Sequence, residues 1–318
     1  MSKSQDGVEF ADDSGEGAHG SQLYLAQGGL GLSSWWRYLV GSLAVTVVFA
    51  FASFFWYLLI VLVSTHGVLP EIDPTSGQIP GVHPMANYVA VNIPSIYLCI
   101  STLLVVRFLH CRPVLTLLTT SSHVNWGRIA FGAIAWFLLA GLAGIVGSIV
   151  FPHSYRYEGP GAAFLLYLPV VLLCTPLQCL AEELFFRAYL LQALGKWVHN
   201  IWLASILNGL IFMLPHLLNP EVSYGMLPMA ICYFAIGFIL ALVTLRTNGL
   251  EVAIGIHIAN NLFDALIVND VRSVLTTNSI FVCVEGHPWY EVGVIVTLGV
   301  VIYVLTSRYL LKPLSLQS

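Results

Sequence analysis

AAFLLYLPVVLLCTPLQCLAEELFFRAYLLQA, residues 162 to 193, places Glu182, Glu183 and Arg187 inside an otherwise apolar run. A membrane crossing takes about 20 apolar residues at roughly 1.5 Å each, so this run is longer than one straight span. Pro169 and Pro176 predict a helix that is tilted, kinked or broken near Pro176. An ionisable side chain near the centre of a membrane helix costs roughly 2.5 to 3.5 kcal/mol on insertion scales. Two adjacent glutamates at that cost mark a functional site.

The rest of the chain agrees with a membrane setting. Its 318 residues are 58% hydrophobic and 9% charged, with a mean hydropathy of +0.84, whereas about a quarter of a soluble domain is charged. The lipid bilayer is therefore an expected partner. The twelve Lys and Arg are scattered, without the basic clustering of a nucleic-acid footprint, so no nucleic acid is expected. The six cysteines show no CxxC or CxxH spacing and give no basis for a disulfide framework or a structural zinc site.

Residues 1–33, rich in Gly, Ser, Asp and Glu, read as a disordered cytoplasmic tail. Residues 34–315 read as an all-α, polytopic membrane domain of about eight transmembrane helices. The expected spans run over 39–63, 88–109, 129–150, 162–193, 201–218, 226–245, 252–268 and 292–311, and Gly144 with Ser148 forms a small-xxx-small pair for close helix contact on the third. Eight spans put both termini on one side, and ten of the twelve Lys and Arg then fall there, with Arg156 and Arg272 opposite. By the positive-inside rule both termini are expected in the cytoplasm.

Successive helical residues are about 100° apart, so Glu182 and Glu183 face different partners, whereas Glu183 and Arg187, at i and i+4, share a face. Arg187 forks onto Glu183 and lowers the cost of burying both. Glu182, one turn after Gln178, is left as the chemical carboxylate. The fifth span brings Asn208, Phe212 and His216 at four-residue spacing; alone, His216 reads as an interfacial or hydrogen-bonded structural histidine. The seventh places His257, Asn261 and Asp264 on one face, a stripe that lines a wet cavity or glues helices together, with Asn260 left to helix packing.

Glu182, His216, His257 and Asn261 together suit amide hydrolysis. A carboxylate and a histidine hold and deprotonate a water, while a second histidine and an amide N–H meet the oxyanion. The same Glu182, His216 and His257 equally suit a metal such as Zn2+, whose bound water would attack. Both chemistries stay open at this point. HExxH, GxSxG and GxGD are all absent, which argues against zincins, α/β-hydrolases and presenilin-like aspartyl proteases.

Glu182-Glu183-x-x-x-Arg187, Phe212-x-x-x-His216 and His257-x-x-x-Asn261 resemble the three motifs of the CPBP family, the CAAX proteases and bacteriocin-processing enzymes also called ABI proteins. The likeness covers residues 160–270. It implies an eight-helix fold with a site opening within the membrane, and an intramembrane endopeptidase acting on a membrane-associated peptide or protein. Glu182 and His216 would activate water, His257 and Asn261 would form the oxyanion side, and Glu183 and Arg187 would support them. A bacterial cytoplasmic membrane is the expected location. Two other functions fit the same chain: a catalytically silent scaffold or bacteriocin-immunity protein, and a proton-coupled transporter relaying through Glu182 and Asp264.

Overall fold

The computed structural model describes residues 23–67 and 81–310. It is an α-helical bundle whose main helices are α1 (Trp35–Ser64), α2 (Pro84–Leu104), α3 (Trp126–Val150), α4 (Ala162–Glu182), α5 (Ile201–His216), α6 (Met226–Thr247), α7 (Glu251–Leu266) and α8 (Pro288–Tyr309). Among the described residues six helices are long and apolar enough to cross a membrane: α1, α2, α3, α4 with its extension to Leu194, α6 and α8. The chain is an integral membrane protein. α5 and α7 depart from the expected full spans, with 16 residues each. That is about 24 Å at 1.5 Å per residue, against a hydrocarbon core of about 30 Å. α5 stops at Pro215-His216, and a 3-10 turn, Pro220–Tyr224, follows. The first half of α7, from Glu251 to His257, is entirely buried, so its length is set by its helical neighbours rather than by lipid.

Residues 1–22 of the expected tail, and 68–80 and 311–315 of the expected membrane domain, lie outside the described residues. Residues 23–33 correct the tail expectation. Leu23–Ala26 form a helical turn with Tyr24 and Leu25 buried. The Tyr24 hydroxyl donates to the Leu117 carbonyl, and the Tyr38 hydroxyl donates to Gly28 O at 2.7 Å. Arg112 Nη1 donates to Gln27 O and its Nη2 to Gln192 Oε1 at 2.8 Å. One aromatic and one aliphatic side chain among the glycines are enough to dock the segment, because Arg112 and Tyr38 meet its backbone carbonyls at Gln27 and Gly28.

α7 packs most extensively along α3. A methyl group at Gly132 would stand 2.4 Å from Val252 O, and one at Gly255 would stand 2.1 Å from Ile129 O, so the two backbones touch there. The close crossing therefore lies one helical half away from the expected Gly144 and Ser148. Gly144 only meets the Phe263 ring at ordinary contact distance, and Ser148 Oγ donates to its own helix at Ile145 O.

α4 runs unbroken through Pro169 and Pro176. The departure from α-helical geometry comes later, in a π-helical segment over Glu183–Leu190 that carries the charged motif itself. A proline removes one backbone donor, which a long helix absorbs, while π-bulges mark functional sites more often than plain helix does. Opposite the described ends of the chain, β1 (Tyr155–Tyr157), β2 (Val268–Asp270) and β3 (Phe281–Cys283) form a small sheet in the order β1-β3-β2, tying the α3–α4 and α7–α8 connections together.

Candidate active site

The π segment turns Glu183 and Arg187 into the core, both with fully buried side chains, and holds Arg187 Nη1 3.0 Å from Glu183 Oε1. The guanidinium also lies 3.8 Å from the centroid of the Phe212 ring. That stack compensates a buried cation whose other nitrogens have no hydrogen-bond partner among the described residues. Asn208, four residues before Phe212, donates its Nδ2 to the Phe186 carbonyl at 2.7 Å and so ties α5 to the π segment. The expected pairing of Glu183 with Arg187 is present.

Glu183 also holds His257, a contact that spacing along single helices does not reveal. His257 Nδ1 donates to Glu183 Oε1 at 2.8 Å, and its Nε2 stands 3.8 Å from Glu182 Oε2. Glu182 Oε1 accepts from Gln178 Nε2 at 2.9 Å, one turn back on α4. The chain Arg187, Glu183, His257, Glu182 is thus continuous from core to cavity. On α5, His216 Nδ1 donates to Phe212 O at 2.7 Å, and the imidazole lies between Phe212 and Tyr233, at 4.2 and 5.1 Å between ring centroids. A carboxylate and a carbonyl can only accept, so each histidine carries its proton on Nδ1 and keeps Nε2 for other partners.

Glu182, His216, His257 and Asn261 line one cavity of about 200 Å³. Glu183 and Arg187 stand behind it and do not reach it. Asp264 lines the cavity as the polar stripe on α7 leads one to expect, and so does Asn260, which also joins α7 to α3 as its assignment to helix packing expects. Trp136 Nε1 donates to Asn260 Oδ1 at 3.1 Å, and Asn260 Nδ2 lies 3.2 Å from Asn261 Oδ1 and 3.1 Å from Asp264 Oδ2. Asn260 therefore fixes Asn261 by its oxygen and leaves the donor end of that amide for an occupant. Glu221 and Tyr233 also line the cavity and carry no motif that would announce them. Burial pushes the Glu221 carboxyl above its ordinary range, opposed by the Val274 N–H that it accepts at 2.9 Å.

A metal on Glu182, His216 and His257 would need three donor atoms about 2.0 to 2.2 Å from one point. Among the described residues no three His, Cys, Asp or Glu side chains come together in that way. Only His257 is paired with Glu182, and His216 lines the same cavity from α5. The donor set as arranged does not fit a three-ligand metal.

Residues 161–263 match the family model described as Type II CAAX prenyl endopeptidase Rce1-like. Uncharacterized protein YyaK of Bacillus subtilis (strain 168) is similar along nearly the whole chain, 30% identical over 263 residues, which is 82% of this chain and 87% of the relative. No solved structure matches the chain.

Proposed function

The chain belongs to the CPBP family, whose Rce1-like members are CAAX-type intramembrane proteases, and from that premise we propose that it hydrolyses a peptide bond of a membrane-associated protein or peptide with water activated by Glu182. One observation carries the reading: Glu182, His216, His257 and Asn261, supplied by three helices, line a single cavity.

The 3.8 Å between Glu182 Oε2 and His257 Nε2 is too long for a direct hydrogen bond and suits a water touching both. As that water attacks the scissile carbonyl carbon, its proton passes to Glu182, with His216 Nε2 as a second acceptor supplied by α5. The C=O electron pair moves onto oxygen, where the Asn261 amide N–H meets the developing charge, while His257, its one proton given to Glu183, accepts from the water through Nε2. Glu182 then returns the proton to the departing amine nitrogen as the C–N bond breaks. Glu183 and Arg187 position His257 and touch no reacting atom.

The test is cleavage of a membrane-delivered peptide by protein in proteoliposomes. Glu182→Gln and His216→Ala are each expected to lower the rate by about 10²-fold or more, with melting temperatures near that of the parent. Undiminished cleavage in both variants overturns the assignment.

A further inference from the structure

Resting on the peptidase reading above, we propose that the catalytic cavity is reached from the face opposite the two termini, so that its substrate is a peptide segment presented on the extracytoplasmic side of the membrane.

The helix directions define two faces. One carries the described ends of the chain and the connections α2–α3, α4–α5 and α6–α7; the other carries α1–α2, α3–α4, α5–α6 and α7–α8. On the first face Arg37, Arg112 and Arg128 are anchored on backbone carbonyls at Leu109, Gln27 and Thr247, and Arg107, Lys196, Arg246 and Arg308 join them. The second face holds Arg156 and Arg272 against Glu158, Glu221, Asp270 and Glu285. Cationic loops stay in the cytoplasm, so the second face is the outer one.

The cavity belongs to that outer face. Besides side chains of the helices, its wall includes Asn219, Glu221, Asn269, Ser273, Val274 and Leu275, which come from the α5–α6 and α7–α8 connections. Asp264, in its wall, is exposed although it lies within α7. A second cavity, of about 340 Å³, shares Glu221, Tyr233, Asn260 and Asp264 with the first and extends to Asp270 and His287, again on the outer side. Among the described residues no connection of the cytoplasmic face lines either cavity. In that direction Leu184, Phe185, Ala188, Tyr189 and Leu191 are buried in one apolar cluster with Leu245 and Leu250, which closes the site from below. A close-packed apolar layer of this kind leaves no room for a polypeptide.

The test is side-specific labelling with a membrane-impermeant maleimide. Ser273→Cys places a thiol in the cavity wall, Val274→Cys provides a second position should the first not fold, and exposed Cys111 on the opposite face is a built-in reference. In intact bacterial cells the introduced thiol is expected to label at least tenfold above the unsubstituted chain while Cys111 does not; in inverted vesicles Cys111 labels instead. Labelling of the cavity thiol from the cytoplasmic side alone, or from neither side, overturns the proposal. Labelling needs no turnover, so a protein that labels as expected but cleaves nothing refutes the peptidase reading and leaves the outward opening standing.

Discussion

His257 Nδ1 donates to Glu183 Oε1 at 2.8 Å, and both side chains are buried. The two glutamates of the motif thereby divide their work along one imidazole: Glu183 sets its tautomer from behind, and Glu182 faces Nε2 at 3.8 Å across the cavity edge. Arg187 Nη1 stands 3.0 Å from Glu183 Oε1 without entering the site.

That division predicts different consequences for two matching substitutions. Glu182→Gln touches a half-buried carboxylate and should remove activity with little loss of stability. Glu183→Gln breaks a fully buried ion pair and should cost about 3 to 5 kcal/mol, together with a loss of rate from the misoriented histidine. Melting temperature and cleavage rate, measured on both variants in one detergent, separate the cases; equal melting losses would contradict the division.

Phe212 is predicted to act as a spacer between charge and base. Its ring lies 3.8 Å from the Arg187 guanidinium and 4.2 Å from the His216 ring, and its carbonyl accepts the His216 proton. Phe212→Leu keeps the carbonyl but removes the aromatic face, worth about 2 kcal/mol for a desolvated cation. The expected outcome is a lower melting temperature with Phe212→Tyr near the parent value. Equal losses in the leucine and tyrosine variants would show that size, not the π face, is what matters.

The glycines make a third prediction, and they mark where sequence reasoning ran out. Spacing along a helix located Glu182, His216, His257 and Asn261 on the right elements, because periodicity is a local property. The backbone contact of Gly132 with α7 and of Gly255 with α3 depends on how two helices cross, and the small-residue pair at Gly144 and Ser148 was an equally good candidate by local criteria. The Glu183 bond to His257 links residues 74 apart, and Tyr24 was hidden in a segment whose average composition suggests no order; neither is a property of any local window. Gly255→Ala should cost about 1 to 3 kcal/mol or more through overpacking against a backbone that cannot yield, while Gly144→Ala, facing only the edge of Phe263, should be nearly neutral. Thermal unfolding of the two variants checks the ranking.

Metal removal is predicted to leave the rate unchanged. Glu182 and His257 face each other, but no third His, Cys, Asp or Glu among the described residues joins them as a ligand set, and the water has a carboxylate base already in place. Dialysis against a strong chelator should preserve cleavage within about twofold, a difference of only ~0.4 kcal/mol in barrier. Loss of activity restored by stoichiometric zinc would instead assign Glu182 to a metal.

Acid should loosen the docked N-terminal segment through His110. This side chain is buried, with Nδ1 2.9 Å from Leu32 O and Nε2 3.0 Å from the Tyr189 hydroxyl. Burial lowers its pKa from 6.5 to about 4, helped by Arg112, Arg37 and Lys196 and opposed by the Leu32 carbonyl. Between those two values the unfolded chain binds a proton that the folded chain refuses. Stability therefore rises with pH through the window, is complete above 6.5, and is lost as the pH falls toward 4. Each unit of the shift corresponds to about 1.4 kcal/mol. His110→Gln removes the titration, so its melting temperature should fall less steeply than the parent's between pH 6.5 and 4. Parallel slopes would mean that other groups, not His110, carry the acid sensitivity of this end of the bundle.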